Sequence, residues 1–116
     1  MKLRDIVERL GLEPLTPELE TDTTDIREGY VSDLLSDVLA NGPQGGVLVT
    51  VQVHLNVVAV AVHAELAAVI FAMDRRPDEA VRQKAAEEGI RLFVSEATAF
   101  EIVGRLHELG VRGRRA

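Results

Sequence analysis

Residues 29–41 read GYVSDLLSDVLAN and combine the signals for the end of a strand, the start of a helix and the end of that helix. A candidate strand covers Ile26 to Val31. Ser32 is a favourable N-cap because its hydroxyl can accept a hydrogen bond from a free amide in the first helical turn. The residues expected to share one apolar helical face are Leu34, Leu35, Val38 and Leu39. Asn41-Gly42-Pro43 ends the predicted helix.

Three apolar runs further along the chain predict buried strands: Val47 to Val51, Leu66 to Phe71 and Ile90 to Val94. The segment from Gln52 to Glu65 is rich in valine, which favours a strand. A parallel pair of strands instead needs a crossover of a dozen or more residues, usually a helix. We therefore predict a helix here, with Asn56 as its cap.

The remaining segments complete an alternating pattern. An opening helix carries Leu3, Ile6, Val7 and Leu10 on one face and stops at Gly11. Leu12 to Thr16 can form a short strand. Pro77 is expected at the first position of a helix that stops at Gly89. Ser95 is expected to cap the last helix, whose apolar positions are Ala99, Phe100, Ile102, Val103, Leu106 and Leu109.

From residue 26 onward the predicted order is four repeats of strand then helix, which is typical of an α/β fold. The sequence predicts a single compact domain over residues 1–110, with a small, mostly parallel sheet flanked by helices. Residues 111–116, which include Arg112, Arg114 and Arg115, are expected to form a basic flexible tail.

The composition excludes several classes of function. The 116 residues include no cysteine, so disulfides, iron–sulfur clusters and thiolate metal sites are ruled out. The net charge of −6 argues against nucleic-acid binding. Polar residues interrupt the apolar region between Val47 and Ala72 every few positions, so no membrane span is expected. Met1 to Leu10 is charged throughout and lacks a signal-peptide pattern, so a cytoplasmic location is expected.

The chain resembles the DRTGG domain family, most clearly in residues 29–41, 56–61 and 76–79. The family's Asp-Arg pair would fall near His54 and Leu55, and its Thr-Gly-Gly near Ala72, Met73 and Asp74. This sequence has neither, so it resembles a divergent, stand-alone branch of the family. The resemblance implies a non-catalytic regulatory or protein-interaction module, often a homodimer.

Some members of that branch are labelled as serine kinases acting on a phosphocarrier protein. A phosphate-binding P-loop needs a lysine after its glycines and a helix behind them. The glycine-rich segment from Gly42 to Gly46 has no following lysine and leads into a strand, so it is interpreted as a turn. We therefore expect no enzyme activity and no catalytic residues.

Polar residues at the expected ends of the strands form the candidate binding site. Thr50, Gln52, His54 and Asn56 follow one strand, and Arg75 follows the next. In open α/β sheets ligands bind at this edge, and a helix start or a guanidinium group suits an anion. Arg75 and Arg76 can equally pair with Asp74, Asp78 or Glu79.

The spacing of the three histidines gives no metal motif, and no cofactor is expected. Three functions stay open at this point. The first is a regulatory module with a protein partner, and the second is a sensor of a nucleotide or other anion. The third is an enzyme whose active site forms only on assembly.

Overall fold

In the computed structural model, which describes residues 1–22 and 24–114, five helices cover the two faces of a five-stranded sheet. The strands are β1 (Glu13–Pro14), β2 (Gly29–Val31), β3 (Val47–Thr50), β4 (Ala68–Phe71) and β5 (Arg91–Val94). The helices are α1 (Leu3–Leu10), α2 (Leu35–Asn41), α3 (Asn56–His63), α4 (Glu79–Glu88) and α5 (Ala99–Glu108).

The sheet has the order β1-β5-β4-β3-β2, and β2 to β5 are parallel. These four strands follow one another in chain order, so right-handed crossovers place their connecting helices on the same face. Accordingly α2, α3 and α4 pack on one face, and α1 and α5 pack on the other. Strand β1 adds to β5 in the antiparallel direction. The prediction of an α/β fold with a small, mostly parallel sheet is confirmed.

The centre of the sheet is buried on both sides. Every residue of β3 and β4 is buried, and successive side chains point to opposite faces. Val49 and Ile70 contact the α1 and α5 layer, whereas Leu48 and Val69 contact the α2–α4 layer. The crossover from Gln52 to Glu65 contains the predicted helix, α3.

Glycines end two helices as predicted. Gly11 and Gly89 have φ of 64° and 74°, a left-handed conformation that costs glycine little because it has no Cβ atom. The amide of each glycine donates to carbonyls of the preceding helical turn.

The helix starts differ from the predictions. Helix α2 begins at Leu35, and the Ser32 hydroxyl accepts from the Leu34 amide, inside the loop. The Ser95 hydroxyl likewise accepts from Ala97, while Thr98 caps α5 through the Glu101 amide. These hydroxyls satisfy amides of their own loops, so each helix starts later than its first possible cap.

The start of helix α4 is shifted in the same direction, by two residues, from Pro77 to Glu79. The side chain of Asp78 accepts from the Val81 amide and caps the helix. Pro77 therefore precedes the cap. The prediction that Pro77 occupies the first helical position is wrong.

Three side chains expected in the core are exposed. Leu34 is 65% exposed, Leu39 46% and Phe100 89%. In α2 only Val38 of the predicted face is fully buried. The apolar face of this helix is thus wider than the surface that the sheet covers.

The first residues of the expected tail contact the domain. Val111 is 4% exposed, and Arg112 forms a parallel bridge with Glu28. The Gly29 amide donates to the Arg112 carbonyl, and the Arg112 amide donates to the Arg27 carbonyl. Residues 115 and 116 of the expected tail lie outside the described residues.

Candidate functional site

The carboxyl ends of β2, β3, β4 and β5 meet at one edge of the sheet because these strands are parallel. We call this edge, with its strand ends, connections and first helical residues at 31–35, 50–56, 71–79 and 94–100, the carboxyl edge. It carries the polar residues that the sequence analysis selected.

Three of the candidate binding residues organise the connection between β3 and α3. The Thr50 hydroxyl accepts from the Gln52 amide at 3.0 Å, and the Gln52 side chain accepts from the His54 amide at 3.1 Å. Nδ1 of His54 accepts from the Asn56 amide at 3.1 Å. Each side chain therefore satisfies the backbone two residues ahead, in the manner of Asx and ST turns.

His54, and not Asn56, supplies the side-chain acceptor at the start of α3. Asn56 is the first residue of the helix and its side chain is exposed. The prediction of Asn56 as the cap is wrong, because the chain enters the helix one residue earlier than expected. This bond requires an unprotonated Nδ1, since a protonated imidazole has no acceptor.

Asp33 ties the ends of β2 and β3 together. Thr50 is fully buried, and its hydroxyl donates to Oδ1 of Asp33 at 2.9 Å. The same carboxylate oxygen accepts from the Val51 amide at 2.8 Å. Because Thr50 donates and accepts within this network, its hydroxyl is already satisfied.

The two adjacent arginines have different surroundings. Arg76 donates to both carboxylate oxygens of Glu13, at 2.8 and 2.9 Å, and lies 2.9 Å from Asp74. Hydrogen bonds from Arg76 hold the pKa of the Glu13 carboxyl below its usual value. The hydrogen bond to Glu13, and to a smaller extent the one to Asp74, raises the pKa of Arg76. Arg76 therefore pairs with Asp74, as the sequence allowed. Its second partner, Glu13, was not predicted.

Arg75 is exposed, and among residues 1–22 and 24–114 its guanidinium group has no hydrogen-bond or ion-pair partner. Only its backbone amide is bonded, to the Ala72 carbonyl. Arg75 is therefore the candidate binding residue whose side chain is most available to an anion.

The connection after β4 holds an uncommon backbone conformation. Met73 and Asp74 have φ of 58° and 55°, the left-handed region that favours glycine. Their amides donate to the carbonyls of Ala97 and Ser95 at 2.8 Å. The Thr-Gly-Gly of the DRTGG family would fall near these positions, and Met73 and Asp74 here adopt the backbone conformation that glycine adopts most readily.

The connections that leave β4 and β5 diverge and open a crevice at the carboxyl edge. Helix α4 leaves β4 toward one face, whereas α5 leaves β5 toward the other. Ligands of open α/β sheets bind in the crevice at such a point. Here a polar cavity of about 280 Å³ opens, with Glu13, Asp74, Arg76, Ser95 and Glu96 among its lining residues.

None of the five predicted binding residues lines this cavity. Glu13, Ser95 and Glu96 were missed because the direction taken by α5 depends on the whole topology. The available signal was the Arg75-Arg76 pair after a predicted strand, since Arg76 lines the cavity.

Exposed apolar side chains are concentrated at the carboxyl edge. Among the described residues, seven large apolar side chains are exposed. Five of them lie at the carboxyl edge: Val31, Leu34, Leu55, Met73 and Phe100. Leu39 and Val62 lie near the C-terminal ends of α2 and α3, away from the carboxyl edge. The second residue of α5, Phe100, is the most exposed of the seven.

The described residues bring together no group of three histidines or carboxylates that could hold a metal ion. Across the same part of the chain, every helix is too short or too polar to cross a membrane.

Comparison with known proteins gives a structural likeness without a sequence match. No family model matches the chain, and no curated protein does. The fold is similar to the regulatory region of Clostridium perfringens pyrophosphatase, solved as its CBS and DRTGG domains with the activator diadenosine tetraphosphate. The TM-score is 0.67 at 12% identity. The likeness covers 89% of this chain but 44% of the other, so this chain spans less than half the length of that solved regulatory region.

Proposed function

We propose that this chain is a non-catalytic regulatory module of DRTGG type that acts through protein contact at its carboxyl edge. The observation that carries the proposal is the exposure of Phe100, at 89%, at an edge that also exposes Leu34, Leu55 and Met73. A large exposed aromatic side chain is typical of a contact surface, because aromatic residues are enriched at protein interfaces.

The polar residues of the same edge support contact over catalysis. Backbone amides of the connection after β3 already donate to the side chains of Thr50, Gln52 and His54. The amides of Gly45 and Gly46 donate to the carbonyls of Glu65 and Pro43, so they are not free to hold a phosphate. The pyrophosphatase likeness adds a regulatory context, since that region is regulatory in its own protein.

A second copy of the chain is the partner that we propose first. A two-fold symmetric interface pairs the same patch of both copies, so one apolar edge is enough to form the whole interface. Light scattering at micromolar concentration should give about twice the chain mass of 12.7 kDa. A mass of one chain that persists as the concentration rises would refute the homodimer.

A sensor of anionic ligands is the second candidate. Arg75 supports it because its guanidinium group is exposed, and the neighbouring protein was solved with a nucleotide activator. Calorimetric titration with ATP, AMP and diadenosine tetraphosphate tests this function directly. Heat that saturates with one of these ligands supports a sensor, and its absence up to millimolar ligand counts against a sensor of these nucleotides.

A further inference from the structure

The outer edge of β2 ends the sheet with backbone groups that point away from it. In a parallel ladder alternate residues of a strand bond to the same neighbour. Glu28 and Ser32 bond to β3, so Gly29 and Val31 face outward. The Gly29 amide donates to Arg112, but within residues 1–22 and 24–114 no partner meets the Val31 amide.

An apolar groove runs beside this open position. It has a volume of about 340 Å³ and lies between β2, α5 and the segment after α5. Val31 and Val49 contribute to its floor, and Val103 and Leu106 contribute from α5. Val31 is 50% exposed, so part of its side chain is open to the groove.

The rim of the groove is basic in a chain of net charge −6. His107, Arg112 and Arg114 all line it. The rim therefore favours an acidic occupant, although the chain as a whole repels one.

We propose that β2 accepts an extended, acidic segment of a partner protein as a sixth strand. The Val31 amide donates to the backbone of the added strand, which continues the bridge that Arg112 begins with Glu28. One apolar side chain of the segment occupies the groove, and its acidic side chains meet the arginines. In strand addition, backbone bonds supply affinity and side-chain pockets supply specificity. This surface includes Val31, at the end of β2, but not Phe100.

The test is a binding titration with a labelled short peptide in which glutamate and valine alternate. A peptide with lysine in place of glutamate is its matched control. Arg114→Glu should weaken binding of the acidic peptide about two- to five-fold, the range for an exposed ion pair. Val31→Pro removes the outward amide at a position where an edge strand tolerates proline. It should weaken binding about three- to ten-fold relative to Val31→Ala, which keeps the amide.

The unmodified protein gives a readout that needs no variant. The amide resonances of Gly29, Val31 and Arg112 should shift on titration, and the Val31 amide should exchange more slowly with solvent. The proposal is overturned if the lysine peptide binds as well or if neither peptide binds up to millimolar concentration. Unchanged resonances at Gly29 and Val31 also overturn it. Protection of Val31 that rises with protein concentration alone would make a second copy, and not an acidic partner, the occupant.

Discussion

Oδ1 of Asp33 lies 2.9 Å from the Thr50 hydroxyl oxygen and 2.8 Å from the Val51 amide nitrogen, although 17 residues separate Asp33 from Thr50. One carboxylate oxygen thus joins the connections after β2 and β3. The shape of the carboxyl edge depends on this bond, because Thr50 is fully buried and its hydroxyl must find a partner within the protein.

Replacing Asp33 tests this relationship. Asp33→Ala leaves the Thr50 hydroxyl and the Val51 amide without their acceptor, and an unsatisfied group costs about 1–3 kcal/mol. Urea unfolding should show a loss of free energy in that range. Ser36→Ala, at an exposed position of α2, is the control and should change the free energy by less than about 0.5 kcal/mol. Equal stability of the two variants would show that the Asp33 bond contributes nothing.

The start of α3 allows a similar comparison between two neighbouring residues. His54→Ala removes the acceptor of the Asn56 amide and should cost about 1 kcal/mol of unfolding free energy. Asn56→Ala keeps that bond and should cost less than about 0.5 kcal/mol. Thermal unfolding of both variants decides the matter: a larger loss in Asn56→Ala would restore Asn56 as the cap.

Tyr30 and Asp37 predict a pH dependence of stability. The Tyr30 hydroxyl lies 2.7 and 2.8 Å from the two Asp37 carboxylate oxygens, and this hydrogen bond holds the pKa of Asp37 below its usual value. A lowered pKa stabilises the fold above the usual aspartate pKa of about 3.9, and the gain is lost as the pH falls through the lowered value.

Tyr30→Phe removes that bond, so the stability difference between the unmodified protein and the variant should be constant from about pH 5 to 7. It should narrow below about pH 4. Other carboxylates with lowered pKa values, such as Glu13 and Asp25, are present in both proteins and cancel in the difference. A difference that is as large at pH 3 as at pH 6, measured by urea unfolding, would contradict the assignment.

Arg75 separates binding from folding. If the carboxyl edge holds an anion, Arg75→Ala should weaken that binding by about 1.5–3 kcal/mol, the range for a charged hydrogen bond. Its stability should be unchanged, because the guanidinium group is exposed. Arg76→Ala is the contrasting variant and should lower the stability, since Arg76 joins Glu13 to Asp74. Calorimetry in which Arg75→Ala binds ATP as tightly as the unmodified protein would remove Arg75 from the site.

Local patterns were sufficient to predict most of the fold. The apolar runs in β3, β4 and β5 are continuous because both faces of a central parallel strand are buried. Gly11 and Gly89 ended their helices as expected, because the left-handed conformation is a property of the residue itself. The choice of helix for α3 required topology, since its valines favour a strand.

The candidate site was harder to predict because it depends on distant contacts. Glu13 and Arg76 are 63 residues apart, and no local sequence pattern predicts their pairing. Helical periodicity also identifies an apolar side without saying what covers it. Phe100 fits the period of α5 yet points away from the core, and this exposure is visible only once the sheet is assembled.

The central claim, that the carboxyl edge is a contact surface, is tested most directly by sedimentation equilibrium of Phe100→Ser and Leu39→Ser. Both positions are exposed, but only Phe100 belongs to the carboxyl edge. Burying a phenylalanine side chain contributes about 1.5–3 kcal/mol, so two copies in a symmetric dimer contribute about 3–6 kcal/mol. We predict that Phe100→Ser sediments as a single chain of 12.7 kDa, while Leu39→Ser remains a dimer. A Phe100→Ser protein that dimerises as tightly as the unmodified chain would contradict this account.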